Sequence, residues 1–150
     1  MPELPEVETV KRELSRLILG KTFSSPVLYY KPLIKTDCSL FLEDIKGKEI
    51  LSIGRKGKFL IFHLSENKKL IFHLRMEGKI FIENIENHSF SHLSMFIPFE
   101  DDENGLAFYD VRKFGCIYYL NEEEEGPLLH VGKEPFDITV DELYQLYNTK

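Results

Sequence analysis

The sequence predicts an α/β protein that is mostly β: a two-layer antiparallel β-sandwich with an N-terminal helix and the start of a C-terminal helix. Residues 3–19 carry an apolar side chain at every third or fourth position, the period of one amphipathic helix. After Gly20 the chain divides into eight short apolar segments between polar turns, a pattern typical of antiparallel sandwiches and barrels. The 150 residues, 43% of them hydrophobic and 13% aromatic, are enough for one domain with a substantial core.

The N-terminal helix is predicted from the opening MPELPEVETV, in which one proline follows the first methionine and glutamates stand at 3, 6 and 8. Proline is favoured at the first position of a helix, and carboxylates are favoured near the positive end of the helix dipole. Gly20 ends the predicted helix, as glycine commonly does at a C-terminal cap. On this helix Pro2, Glu3 and Glu6 share one face, because residues three and four apart are neighbours. By this interpretation the three residues only start a helix.

Eight segments after Gly20 are predicted strands, because apolar, β-branched and aromatic residues dominate each of them. The pentapeptide LIFHL occurs at 60–64 and again at 70–74, and the polar SENKK between the copies predicts a hairpin with a five-residue loop. Asn104-Gly105 marks a second hairpin. The predicted strands are VLYY, EILSI, KFLIFHL, KLIFHLRM, KIFIE, HLSMFIPF, LAFYDV and CIYYL.

The C-terminal residues TVDELYQLYNTK predict the start of a second helix, in which Thr139 is the N-cap and Glu142 completes a capping box. This helix stops almost as soon as it begins. We therefore expect residues 1–135 to form the sandwich domain, and residues 136–150 to begin a linker or helix toward a second domain that these 150 residues do not include.

The formal net charge of −6 argues against a nucleic-acid partner only as a whole-chain number, because the charges are unevenly distributed. Much of the acid lies in EDDEN at 100–104 and EEEE at 122–125, whereas basic residues cluster in GRKGK at 54–58 and VRK at 111–113. The two cysteines are far apart, as expected of reduced thiols in a cytosolic protein. The chain has no signal sequence and no long apolar run, so we expect a cytoplasmic protein without a membrane segment.

Pro2 also has the chemistry of a nucleophile once the initiator methionine is removed. A chain-terminal amine has a pKa of about 7.7–8.0 against about 10.4 for lysine, so far more of it is neutral at pH 7. A secondary amine that condenses with an aldehyde gives an iminium, which is positively charged without a proton and withdraws electrons in an elimination. With Glu3 moving the protons, this chemistry suits C1′ of a deoxyribose.

Three further motifs have a structural interpretation, and the first of them also has a functional one. GRKGKFL, which contains Lys58, is either a solvated basic turn or a contact to backbone phosphates. In IFHLRMEG, strand alternation makes Met76 a core residue and His73 a satisfied strand histidine. In YDVRKFG, cations stand beside a phenylalanine, which is common at turns. None of the three motifs decides the function alone.

The motifs MPELPEVET, RKGKFL, HLRMEG, YDVRKFG and GKEPF occur in this order across nearly the whole chain. Together they resemble the bacterial formamidopyrimidine-DNA glycosylase family, the repair enzymes for 8-oxoguanine and ring-opened purines. The resemblance implies a base-excision repair glycosylase that is also an abasic-site lyase and acts through an iminium at the N-terminal proline. It also implies that residues 1–135 are the catalytic domain.

The resemblance implies a catalytic role for three residues at the start of the chain. Pro2 is similar to the nucleophile that attacks C1′ and expels the damaged base. Glu3 is similar to the general acid/base at the sugar, and Glu6 to its supporting carboxylate.

Five other matched residues resemble the family's contacts to DNA. Lys58 and His73 are similar to contacts with the phosphates around the flipped nucleotide. Met76, Arg112 and Phe114 are similar to the side chains that fill the space left by the flipped base. Apolar side chains restore stacking-like contact there, and arginine offers donors to the orphaned cytosine. The strand alternation that makes Met76 a core residue then fails at the turn that follows it.

The partner implied by the resemblance is double-stranded DNA with a damaged purine or an abasic site, bound by a monomer. No metal or cofactor is expected in this chain, since two cysteines cannot form the four-cysteine zinc site of the family's second domain. Without that domain, which supplies much of the DNA clamp, we expect these 150 residues alone to be weak or inactive. The alternative from a different class is a catalytically idle fold that at most binds DNA weakly.

Overall fold

Two four-stranded antiparallel sheets pack face to face in this protein, as the sequence predicts. The computed structural model describes residues 4–74, 78–84, 92–110 and 115–130. The predicted second helix, with Thr139, lies outside the described residues. The helices are α1 (Leu4–Ile18) and α2 (Cys38–Asp44), with short 3₁₀ helices at Lys31–Leu33 and Gly126–His130. The strands are β1 (Val27–Leu28), β2 (Ile50–Lys56), β3 (Phe59–Leu64), β4 (Lys68–His73), β5 (Lys79–Asn84), β6 (Leu93–Pro98), β7 (Asn104–Tyr109) and β8 (Cys116–Asn121).

The main core lies between the two sheets. The first sheet has the strand order β1-β6-β7-β5, and the second has the order β2-β3-β4-β8. Their facing sides bury Phe62 and Phe72 from the second sheet together with Met95 and Phe108 from the first. The ring of Phe72 lies 5.1 Å from that of Phe62 and 6.0 Å from that of Phe108, measured between centroids. The phenylalanines that favour strands in the sequence therefore join the two layers.

The second sheet is covered on its outer side as well. Ile61 and Ile71 belong to a separate apolar cluster, yet they are buried because Leu128 in the 3₁₀ helix Gly126–His130 packs with them. Side chains from β3 and β8 complete this small cluster. Burial on both faces explains why β3 and β4 have nearly continuous apolar runs instead of a strict alternation.

Helix α1 packs along β2 and runs antiparallel to it. At the C-terminal end of the helix, the N–H of Gly20 donates to the carbonyl oxygen of Ile50, at the start of β2, over 2.9 Å. Near its other end, the carboxylate of Glu8 accepts a hydrogen bond from Nε of Arg55, close to the end of β2. The start of α1 is therefore held beside the β2–β3 turn. The helix buries one face, consisting of Val7, Leu14 and Ile18.

Helix α2 is not predicted by the sequence pattern, since its 7 residues are too few for a clear period. Oδ1 of Asp37 caps the helix by accepting a hydrogen bond from the N–H of Leu40 at 3.1 Å. Phe41 is fully buried against Tyr119 of β8, whose hydroxyl donates to Asp44 at 2.6 Å. Burial and this hydrogen bond raise the pKa of Tyr119, and the same hydrogen bond lowers the pKa of Asp44. Tertiary contacts thus stabilise a helix that the local sequence pattern does not predict.

Both predicted hairpins are present, but their turns differ from the prediction. The β3–β4 loop is 65–67 instead of all five residues of SENKK, because both lysines pair in β4. Glu66 and Asn67 make this tight turn with left-handed backbone, at φ 62° and 60°. In the other hairpin the turn precedes Asn104-Gly105, which already lies in β7. Gly105 is required for packing, since a Cβ there would lie 2.6 Å from the carbonyl oxygen of Ile97.

Candidate active site

One end of the sandwich collects the described residues of the predicted site. It is formed by the start of α1, the β2–β3 turn (residues 57 and 58), the end of β4 and the start of β8, and we call it the turn end. Phe59, His73 and Cys116 are successive partners across β3, β4 and β8 at this end. Lys58 directly precedes Phe59, and the hydrogen bond between Glu8 and β2 brings the start of α1 alongside.

Lys58 is the second residue of the β2–β3 turn. Gly57, the first, has φ 61°, which a two-residue hairpin turn with glycine in the first position requires. The carbonyl oxygen of Gly57 accepts a hydrogen bond from Nη1 of Arg55 at 2.9 Å, and this bond fixes the turn against β2. Lys58 is half-buried, and Arg55 and Lys56 make its surroundings basic. Such a turn can present cations to a phosphate.

His73 is the last residue of β4 and pairs with Phe59, the residue that follows Lys58 in the chain. Its ring packs on Phe59 across the strand pair, with ring centroids 4.5 Å apart and planes inclined by 34°. This packing on Phe59 fixes the orientation of the half-buried imidazole, which lies at the turn end. The packed ring agrees with the predicted strand histidine, and its place at the same end of the sheet as Lys58 also suits a phosphate contact.

The other predicted site residues have chain neighbours at the same end. Glu6 lies in the first turn of α1. Segment 75–77 follows β4 after one residue, and segment 111–114 is followed after one residue by β8. The predicted residues that lie outside the described residues are Pro2, Glu3, Met76, Arg112 and Phe114.

Hydrogen bonds tie together the described flanks of these two segments. The N–H of Gly78 donates to the carbonyl oxygen of Leu74 at 2.9 Å, and a Cβ on Gly78 would lie 2.3 Å from that oxygen. The N–H of Gly115 donates to Oδ2 of Asp110 at 2.5 Å, and a Cβ on Gly115 would lie 2.7 Å from Cζ of Phe108. Only glycine fits at either position, because the backbone approaches its neighbours too closely for a side chain.

Asp110→Ala is expected to lower the free energy of unfolding by about 2–4 kcal/mol. Asp110 is 1% exposed, and alanine would take its acceptor oxygen away from the buried N–H of Gly115. Asp110→Asn keeps a side-chain oxygen and should lose less. Urea unfolding of both variants measures the difference, with the exposed Glu123→Ala as control. Equal losses for alanine and asparagine, or a loss no larger than that of the control, would contradict this account.

Three residues of the turn end were missed by sequence reasoning. Glu8 and Arg55 lie inside recognised motifs, but they are 47 positions apart, so only the fold shows that they meet. The hydrogen bond from Arg55 holds the pKa of Glu8 below its usual range. The sequence did contain a signal for Asp110, because it directly follows an apolar strand segment. An aspartate in such a position, if it is buried, is expected to have a hydrogen-bond partner.

Neither a metal centre nor a membrane-spanning helix is found in residues 4–74, 78–84, 92–110 and 115–130. Within these ranges, no three histidine, cysteine, aspartate or glutamate side chains are grouped as ligands for a metal ion. Cys38 is half-buried and Cys116 is buried, and the two do not form a disulfide bond. No helix in the same part of the chain is long and apolar enough to cross a membrane.

Comparison of the sequence with known proteins gives close relatives. The family model for the formamidopyrimidine-DNA glycosylase N-terminal domain matches residues 1–117. A formamidopyrimidine-DNA glycosylase of Streptococcus pneumoniae is 48% identical over 120 residues, which are 80% of this chain and 43% of that protein. That of Lactobacillus acidophilus is 37% identical over an alignment of 153 residues, gaps included, which covers 100% of this chain and 55% of that protein. This chain therefore spans about half the length of these relatives.

Solved structures give the same answer for the fold. The Lactococcus lactis Fpg in complex with FAPY-dG containing DNA has a TM-score of 0.78 and 36% identity, covering 84% of this chain and 47% of that chain. The same protein in complex with DNA that contains an abasic site also has a TM-score of 0.78, and the match covers 46% of that chain. Taken with the two-sheet fold and the motifs at its turn end, these matches show that the chain belongs to the formamidopyrimidine-DNA glycosylase family.

Proposed function

We propose that this chain is the catalytic domain of a base-excision repair enzyme. The enzyme removes oxidised purines, such as 8-oxoguanine and formamidopyrimidines, from double-stranded DNA and then cleaves the strand as an abasic-site lyase. The observation that carries the proposal is that Lys58, His73 and the start of α1 lie at the same end of a fold that belongs to a DNA glycosylase family. The DNA in the matched Lactococcus structures contains FAPY-dG in one and an abasic site in the other, which supports substrates of this kind.

In the proposed reaction the unprotonated amine of Pro2 attacks C1′ of the damaged nucleotide. The bond between nitrogen and C1′ forms as the bond between C1′ and the base breaks, and the base leaves with a proton. Glu3 acts as general acid and base at the sugar, with Glu6 in support. Ring opening of the sugar gives an iminium, whose positive charge makes the neighbouring C2′ proton acidic. Loss of that proton eliminates the 3′ phosphate, and water then releases the amine.

The DNA contacts of the proposal divide into phosphate contacts and contacts inside the duplex. Lys58 and His73 would contact phosphates, since both lie at the edge of a basic turn. Flipping a nucleotide out of the duplex costs a few kcal/mol of lost stacking and pairing. Met76 and Phe114 would offset part of this loss by filling the gap, and Arg112 would donate hydrogen bonds to the orphaned cytosine.

The remaining proposals concern the rest of the protein. We propose that residues 1–135 are the catalytic domain and that residues 136–150 begin a connection to a second domain. The zinc ion of the family would be held in that second domain by four cysteines, which this chain, with two cysteines, does not supply. We also propose that the protein acts as a monomer in the cytoplasm.

A catalytically idle fold that binds DNA weakly is the second candidate. It is not favoured, because the relatives bear the name of a glycosylase and the matched structures are bound to damaged DNA. We do propose that these 150 residues by themselves have little activity, because they span only about half the length of their relatives.

Borohydride trapping tests the proposed function in the protein at its natural length. Reduction of the iminium should give a covalent protein–DNA adduct with a duplex that carries 8-oxoguanine opposite cytosine, and none with the undamaged duplex. Mass spectrometry of the adduct should find the DNA on Pro2. The proposal would be contradicted if protein that is shown to lack Met1 forms no adduct with the damaged duplex.

A further inference from the structure

A carboxylate on α1 is linked to the turn that carries Lys58. Oε1 of Glu8 accepts a hydrogen bond from Nε of Arg55 at 2.8 Å, and Nη1 of the same guanidinium donates to the carbonyl oxygen of Gly57 at 2.9 Å. Arg55 belongs to β2, and Gly57 is the first residue of the β2–β3 turn. One planar guanidinium thus joins the helix to the turn through two hydrogen bonds of fixed geometry.

The link is better defined than an ordinary surface ion pair. The side chains of Glu8 and Arg55 are only 25% and 17% exposed. The second carboxylate oxygen of Glu8 lies 3.3 Å from Nζ of Lys11 and 3.3 Å from Nε of Arg12. Because both oxygens have cationic partners, the carboxylate is held in one orientation, and the hydrogen bond from Arg55 lowers its pKa.

The position of the link gives it a functional meaning. Glu8 lies four residues, about 6 Å along the axis, from the first residue of α1. Pro2 and Glu3 directly precede that residue in the chain, and Lys58 directly follows the turn residue that Arg55 holds. We propose that Glu8 and Arg55 are positioning residues, which hold the nucleophile in register with the phosphate contact. The proposal rests on the proposed function, since it assumes that Pro2 attacks the sugar while Lys58 holds a neighbouring phosphate.

Loss of the link should affect bond formation more than DNA binding. Apolar packing on β2 holds α1 as a body, so the helix remains in place without Glu8. A displacement of about 1 Å between reacting groups can lower a rate by about a hundredfold. DNA affinity, by contrast, is spread over many phosphate contacts, of which a small shift disturbs few.

The test measures adduct formation with abasic-site DNA by the natural-length protein and its variants Glu8→Ala, Arg55→Ala and the double variant. Single-turnover borohydride trapping gives the rate at saturating DNA and the half-saturating DNA concentration, and thermal unfolding gives the folded fraction. Each single variant should lower the saturating rate by about tenfold or more and change the half-saturating concentration by less than about threefold. The double variant should be no slower than the slower single variant, because the two residues act as one unit.

Two further variants separate positioning from charge. Arg55→Lys should be about as slow as Arg55→Ala at saturating DNA, because the ammonium of lysine does not offer two donors in a fixed fork. Glu13→Ala is the matched control: it removes a carboxylate from the same helix, whose pair with Arg16 is 58% and 67% exposed. Its rate should stay within about twofold of wild type.

Several results would overturn the inference. They are a Glu8→Ala rate within about twofold of wild type, a loss that only follows the folded fraction, and single-variant effects that multiply in the double variant. A change confined to the half-saturating concentration would assign the pair to DNA binding and would also overturn it. Wild-type protein that forms no adduct would defeat the proposed function and this inference together, whereas a normal wild-type adduct with unaffected variants would defeat only the inference.

Discussion

Pro2→Gly is expected to form no borohydride-trapped adduct with DNA that contains 8-oxoguanine or an abasic site, a loss of at least about 10³-fold. The secondary amine of proline gives an iminium that is charged without a proton, whereas the primary amine of glycine gives an imine that must first be protonated. The amount of adduct formed at saturating DNA measures the loss.

Pro5→Ala is the matched control for this variant. It removes a proline from the first turn of α1 but leaves the chain-terminal amine unchanged, so the adduct should still form. The mass of the N-terminal peptide must show that Met1 is removed in both variants. Excision and trapping by Pro2→Gly at the wild-type rate would show that the nucleophile lies elsewhere in the protein.

The 150 residues alone should show negligible excision of 8-oxoguanine from duplex DNA. They span about half the length of their relatives, and their net charge is −6, so several phosphate contacts are expected to be missing. Loss of several phosphate contacts weakens DNA binding by orders of magnitude. Flipping the damaged nucleotide costs a few kcal/mol, which contacts on only one side of the duplex offset poorly. A preformed abasic site needs less of this energy, so slow lyase action at low salt is the expected residual activity.

The comparison that tests this prediction is the excision rate per molecule of the 150 residues and of a natural-length relative, such as the Streptococcus pneumoniae protein. Both are assayed on duplexes with 8-oxoguanine and with an abasic site, at low and at physiological salt. Equal excision of 8-oxoguanine by the two proteins would show that these residues bind and flip the nucleotide without further contacts.

Local sequence was sufficient for elements whose pattern is repeated along the chain. The apolar period and Gly20 predicted the helix that the structure has at Leu4–Ile18. The two LIFHL copies predicted the β3–β4 hairpin, and the observed pairing places residues 60–62 of the first copy opposite residues 70–72 of the second. The pattern did not predict α2, because that helix depends on the burial of Phe41 and on a hydrogen bond between Tyr119 and Asp44. Both contacts join residues far apart in the sequence.

The lengths of the loops also depend on tertiary contacts that the local sequence pattern does not show. SENKK marks a polar interval, but the pairing of its two lysines with β3 and β8 shortens the turn to 65–67. Asn104-Gly105 has the composition of a turn, yet it lies in β7, where the missing side chain of Gly105 leaves room for Ile97. Hydrogen bonding between strands determines where these turns begin and end, because the register of the strands sets which residues are paired.

For the site, the sequence by itself determined which side chains are available: a proline at position 2, whose nitrogen becomes a secondary amine once Met1 is removed, carboxylates at 3 and 6, and a cation at 58. Their identity is local, since each motif is a short run of residues. Only the tertiary structure decided what these groups meet. The pairing of β3 with β4 sets His73 against Phe59, and the packing of α1 on β2 brings Glu8 to Arg55 across 47 positions. Hydrogen bonds and ion pairs act over a few ångströms of space, and that distance is set by packing and register, which no short stretch of sequence contains.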